Sequence, residues 1–92
     1  DGVFLQRPEL RSHFDLCVFV SVSLGETVRR AVDRDSVLMG SREEAERRYR
    51  VRYVPGQRLY VAAVGPRERA DIVVRNDDPA SPVLERVGGR AL

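Results

Sequence analysis

Ninety-two residues make one domain at most, with 42% hydrophobic and 33% charged residues, a soluble globular balance rather than a disordered one. A chain this short buries roughly 60–65% of the surface its unfolded form exposes, so its core is thin. The formal charge of +2 is too small to imply nucleic acid or an acidic membrane as partner. No apolar run approaches the roughly 20 residues of a membrane helix, and no signal peptide is visible.

The first residues, Asp1-Gly2-Val3-Phe4-Leu5, read as the end of a strand. Arg7-Pro8-Glu9-Leu10 allows a short helical turn, with Pro tolerated near its start. His13 follows in a turn, without a partner at metal-ligand spacing, and reads as a surface residue. Leu16 to Val22 is nearly continuous in β-branched and aromatic residues, the pattern of a strand buried on both faces in a parallel sheet. Cys17 lies within it; a lone cysteine forms no intramolecular disulfide, and a reducing, cytoplasmic compartment is the simplest expectation.

A helix opens at Glu26-Thr27, with Val28, Ala31 and Val32 on one face and Arg29, Arg30, Asp33 and Arg34 on the other. Gly40 and Ser41 interrupt it. Ser41 with Glu44 three residues later is a capping box, so a second, charge-dense helix starts there. Val54-Pro55-Gly56 breaks or kinks that helix. Gln57 to Val64 resumes it, with Leu59, Tyr60 and Ala63 turned inward, and Gly65-Pro66 ends it. Asp71 to Arg75 predicts a second buried strand, Asn76 to Pro79 a turn, Pro82 to Val87 a short edge strand, and Gly88-Gly89 a frayed tail. A parallel strand pair needs a crossover, and the long helical region supplies one. Two or three strands alone would leave exposed sheet edges.

Arginine carries the densest chemical signal. All 16 basic residues are arginine, and none is lysine. A guanidinium fork binds phosphate oxygens bidentately and stays charged at any working pH. Arg29, Arg30, Arg34 and Arg42 are the candidates for such work. Arg47, Arg48, Arg50 and Arg52 alternate with Glu43, Glu44 and Glu46, the pattern of a solvated, ion-paired helix face.

In order, Asp1 to Leu5, Arg7 to Leu10, Asp15 to Phe19, Arg29-Arg30, Arg34-Asp35, Gly40-Ser41, Arg52 to Tyr60, Pro66 and Ala70 to Asn76 resemble the uridine kinase family. The resemblance implies a P-loop kinase-like, three-layer α/β fold with a parallel sheet. Residues 1–92 would then be the C-terminal part of a single P-loop kinase domain, with a lid at about 29–52. It further implies an ATP-dependent phosphotransferase that moves the γ-phosphoryl group to a hydroxyl of a nucleoside or another small compound. Asp1 would end the strand beside Mg²⁺. Arg30, Arg34 and Arg42 would act on the transferring phosphoryl group, and Arg29, Arg34 and Asp71 would contact ATP. The phosphate-cradling GxxxxGK[ST] unit is not among these residues, so the chain by itself is expected to bind ATP poorly and to be inactive. Two other readings stand beside this one: a non-catalytic remnant or regulatory module that folds with a partner or as a homo-oligomer, and an arginine-rich nucleic-acid-binding domain. Interleaved glutamates and the absence of a nucleic-acid-binding motif weigh against the last.

Overall fold

A computed structural model describes residues 1–92 as a mixed α/β chain in two compact units. One unit joins Asp1–Ser21 to Tyr60–Leu92 and carries the sheet; the other, Val22–Leu59, is entirely helical.

The sheet unit opens without a strand. Gly2 and Phe4 both have positive φ, and Phe4 packs edge-on against Tyr60 with ring centroids 5.2 Å apart. Residues 1–5 are therefore coil and turn, and the strand expected there is absent: a left-handed Phe4 is incompatible with a continuous ladder. Gln6 is the only buried polar residue; its side chain donates to the Pro66 carbonyl at 2.8 Å, while its backbone N–H donates to the Tyr60 hydroxyl at 3.0 Å. The turn α1 (Pro8–Arg11) begins on Pro8 as expected, and His13 is exposed.

The sheet has the order β1 (Val18–Ser21), β2 (Ile72–Arg75), β3 (Val83–Val87) and β4 (Arg90–Ala91). Only β1 and β2 run parallel, in the register Val18–Ile72 to Ser21–Arg75; the remaining pairs are antiparallel. The sheet is thus mixed, where an all-parallel one was expected. The cause is local: Asn76 to Ser81 turns the chain back after β2 within a few residues, which permits only antiparallel pairing, whereas β1 and β2 are separated by a crossover. Between Val73 and Val74 the register shifts, leaving Glu85 as the extra residue of a bulge on β3.

β1 is an edge strand rather than a strand buried on both faces. Leu16, Val18 and Val20, at alternate positions, are half or more exposed, while Val73 on β2 is 1% exposed. Gly88-Gly89 is no frayed tail: it is the two-residue turn of a β3–β4 hairpin, with Val87 opposite Arg90 and Gly88 at φ 60° as such turns require. Consequently β3, expected at the edge, lies inside the sheet, and β4 takes the edge instead.

Helix α5 (Pro66–Arg69) follows Gly65, whose φ of 62° lets its N–H reach the Val61 carbonyl at 3.0 Å and close α4 (Val54–Val64). Arg86 then donates to the carbonyls of Arg67, Glu68 and Ala70, satisfying the C-terminal end of α5.

The helical unit contains α2 (Leu24–Asp35), α3 (Arg42–Arg48), a π turn (Tyr49–Tyr53) and the first residues of α4. Both helix starts use the same device: Ser23 Oγ accepts from the Glu26 N–H, and Ser41 Oγ from the Glu44 N–H. Val28, Val32, Ala45 and Val54 form the core, flanked by Leu24, Met39, Tyr49 and Tyr53. Val54-Pro55-Gly56 does not break the helix. The Val54 N–H bonds five residues back, to Tyr49, so the backbone widens by one residue before the proline. Pro55 has no N–H for Val51 and its ring would collide with that carbonyl in an ordinary α-turn; the wider turn resolves both conflicts. Leu59 and Ala63 are exposed rather than inward, and Tyr60 alone of the three expected positions is partly buried.

Candidate functional site

The candidate arginines lie on α2 and at the start of α3, where the amphipathic pattern of α2 buries Val28, Ala31 and Val32 and turns the charged face outward. Three of them share one network. Glu26 accepts from Arg29 at 2.5 Å and from Arg30 at 2.9 Å; Asp33 accepts from Arg29 at 3.0 Å and from Arg42 at 2.8 Å. The chain Arg30–Glu26–Arg29–Asp33–Arg42 is continuous, so α2 and the first residue of α3 are tied by charge as well as by Ala45.

Arg34 stands outside that network. It grips Asp35 with both Nε and a terminal nitrogen, at 2.8 and 2.9 Å, and donates to the Tyr49 hydroxyl at 3.3 Å. Tyr49 in turn donates to Asp35. The Asp35 side chain is 17% exposed and that of Arg34 72%, so the acid anchors a guanidinium that faces solvent. The paired guanidinium and the Tyr49 hydroxyl hold the Asp35 carboxyl at about 2, and Asp35 pushes the Tyr49 phenol upward. Arg29 together with Arg30 draws Glu26 down to about 2. Glu26 and Asp35 are thus fully charged at neutral pH, and each arginine here is held by at least one carboxylate.

Asp71 and Asp1 belong to the sheet unit. Asp71 precedes β2, where its carboxylate accepts from the Cys17 N–H at 2.8 Å and its own N–H donates to the Cys17 carbonyl at 2.8 Å. These bonds start the parallel ladder. Asp1 is exposed and terminates no strand, and no group of three His, Cys, Asp or Glu side chains is arranged to hold a metal ion. No helix is long and apolar enough to cross a membrane.

Sequence reasoning missed the acid partners of the candidate arginines. Ion pairing was assigned there only to Arg47 through Arg52, yet Glu26, Asp33 and Asp35 hold the earlier set equally. The three- and four-residue spacing of Glu26 and Asp33 from Arg29 and Arg30 was the available signal. Tyr49 was missed as well, because its contact with Asp35 joins two helices across fourteen residues.

Comparison with protein-family models, curated proteins and solved structures returns no match.

Proposed function

We propose that this chain supplies the lid and C-terminal sheet portion of an ATP-dependent phosphotransferase of the uridine kinase type, whose acceptor is a hydroxyl of a nucleoside or a similar small molecule. The observation that carries this reading is the insertion of a compact, all-helical unit bearing Arg29, Arg30, Arg34 and Arg42 between two parallel neighbouring strands, β1 and β2. An insertion of that kind is a segment free to close on a ligand, and four guanidinium groups on it suit phosphate oxygens.

Three acids against four arginines leave one excess positive charge. Incoming phosphate oxygens, with Mg²⁺ bridging them, would compete with Glu26, Asp33 and Asp35 for the same forks. Arg34 is the residue assigned to the developing charge on the γ-phosphoryl group, because its guanidinium is oriented by Asp35 and Tyr49 while its outer face is open. Arg30 and Arg42 would assist it, and Arg29 would hold the ATP phosphates. Asp1 for Mg²⁺ and Asp71 for the nucleotide remain part of the proposal on sequence grounds. Nucleic acid and membranes are not partners in this reading.

ADP release by the full-length product of the gene encoding these residues, with uridine, cytidine and non-nucleoside alcohols as acceptors, tests it. Arg34→Ala is expected to lower kcat by about 10³-fold, the scale of an arginine acting on a transferring phosphoryl group, and Arg34→Lys to restore little of it, since lysine lacks the planar fork. No acceptor-dependent ADP release, or an Arg34→Ala enzyme of unchanged kcat, contradicts the proposal.

A further inference from the structure

A second group of arginines lies apart from those four in sequence, on the last turn of α3 and the π turn. Arg47, Arg48, Val51 and Arg52 line a surface depression of about 270 Å³, with room for a pyrophosphate. In a regular α-helix, residues five apart point about 140° away from each other, so Arg47 and Arg52 would diverge. In the π turn, residues five apart are hydrogen-bonded neighbours, and the widening brings Arg52 round to the side of Arg47 and Arg48. The feature that accommodates Pro55 thereby assembles three guanidinium groups.

Their charge is not cancelled. Arg47 and Arg48 share a single carboxylate, Glu44, at 2.7 and 2.9 Å, and Arg52 has no ion pair. Glu46, on the same helix, is taken by Arg50. Two positive charges are therefore left over around an open depression whose lining is polar except for Val51.

We propose that Arg47, Arg48 and Arg52 form a binding site for a small phosphate-bearing anion, with at least two phosphate groups to engage the three forks that line the depression. The site uses none of Arg29, Arg30, Arg34 or Arg42 and stands independently of the proposed reaction. Val51 in its lining gives an apolar contact but no hydrogen bond, so recognition rests on the phosphates. Free pyrophosphate and the phosphate chain of a nucleotide offer that same chemistry.

Calorimetric titration of the chain with inorganic pyrophosphate, ADP and uridine at low salt tests the site, with folding of each variant checked by circular dichroism. Saturable pyrophosphate binding is expected, weakened at least about tenfold in Arg52→Gln, the loss of one charged hydrogen-bonding partner. Arg52→Lys should fall between, because it keeps the charge and loses the fork. Comparable affinities for pyrophosphate and ADP would identify a phosphate-only site, and much tighter ADP binding a nucleotide as the source. Uridine, which is uncharged, should not bind. Wild-type affinity in Arg52→Gln, absence of saturation, or binding abolished by Arg34→Ala but untouched by Arg52→Gln would overturn the assignment; the last result would move the anion to the lid arginines.

Discussion

Carboxylates hold most of the arginines of the helical unit. Glu26, Asp35 and Glu44 each sit beside guanidinium groups that draw their carboxyls down to about 2. Because these folded values lie below the unfolded ones, near 4, the stability that they contribute is fully present above pH 5 and is lost as pH falls from about 4.5 towards 2. Thermal melting should be flat from pH 7 to 5 and drop below that window. Glu44→Gln, which releases Arg47 and Arg48 together, is expected to flatten the acid limb, and 1 M salt to flatten it further, since these pairs are exposed and screened. An acid limb identical in wild type and Glu44→Gln would show that the pairs do not control it. At the same scale, Asp71, singled out for ligand binding, accepts from the backbone N–H of Cys17, the residue just before β1.

Elements were legible wherever a local rule governed them. Ser41 with Glu44, and the apolar spacing of Val28, Ala31 and Val32, mark both helices of the inserted unit in the sequence itself. Gly65-Pro66 marked the end of α4 by the same kind of rule. Two elements escaped because their outcome depends on partners. Asp1 to Leu5 has the apolar content of a strand but no ladder, and Leu16 to Val22 is apolar on both sides although one side is uncovered. Pro55 is the informative error: its chemistry was read correctly, but the backbone yielded by widening rather than by breaking. A proline in a regular helix interior costs about 3 kcal/mol, but the wider turn already relieves most of that. Pro55→Ala should therefore stabilise the protein by at most about 1 kcal/mol in urea unfolding. It should also allow an ordinary α register, turning Arg52 away from Arg47 and weakening pyrophosphate binding. A less stable Pro55→Ala protein would mean that the π turn is held by Tyr49 and Tyr53 packing rather than by the proline.

At the scale of the molecule, the chain divides its labour between a thin sheet unit and a helical insert. The sheet unit buries little besides Val73, Ala70, Pro66 and Gln6, and it leaves Leu16, Val18 and Val20 in a row on the edge strand β1. The insert packs its own core and carries the candidate arginines. Composition and a crossover argument were enough to foresee an α/β chain with parallel β1 and β2. The antiparallel remainder was hidden because a hairpin at Gly88-Gly89 reads, in sequence, like a loose end. That Asp1 and Asp71 fall in a different unit from the candidate arginines follows from topology and has no sequence signature.

Amide hydrogen exchange of the full-length gene product, with and without Mg²⁺-ATP, addresses the central claim that residues 22–59 form a phosphate-responsive lid. Peptides spanning Leu24 to Arg48 should gain protection when nucleotide binds, and Arg34→Ala should reduce that gain while leaving exchange of the free protein unchanged. Nucleotide binding that protects other segments but leaves α2 and α3 exchanging as before would contradict the lid assignment and return these arginines to the role of paired surface charges.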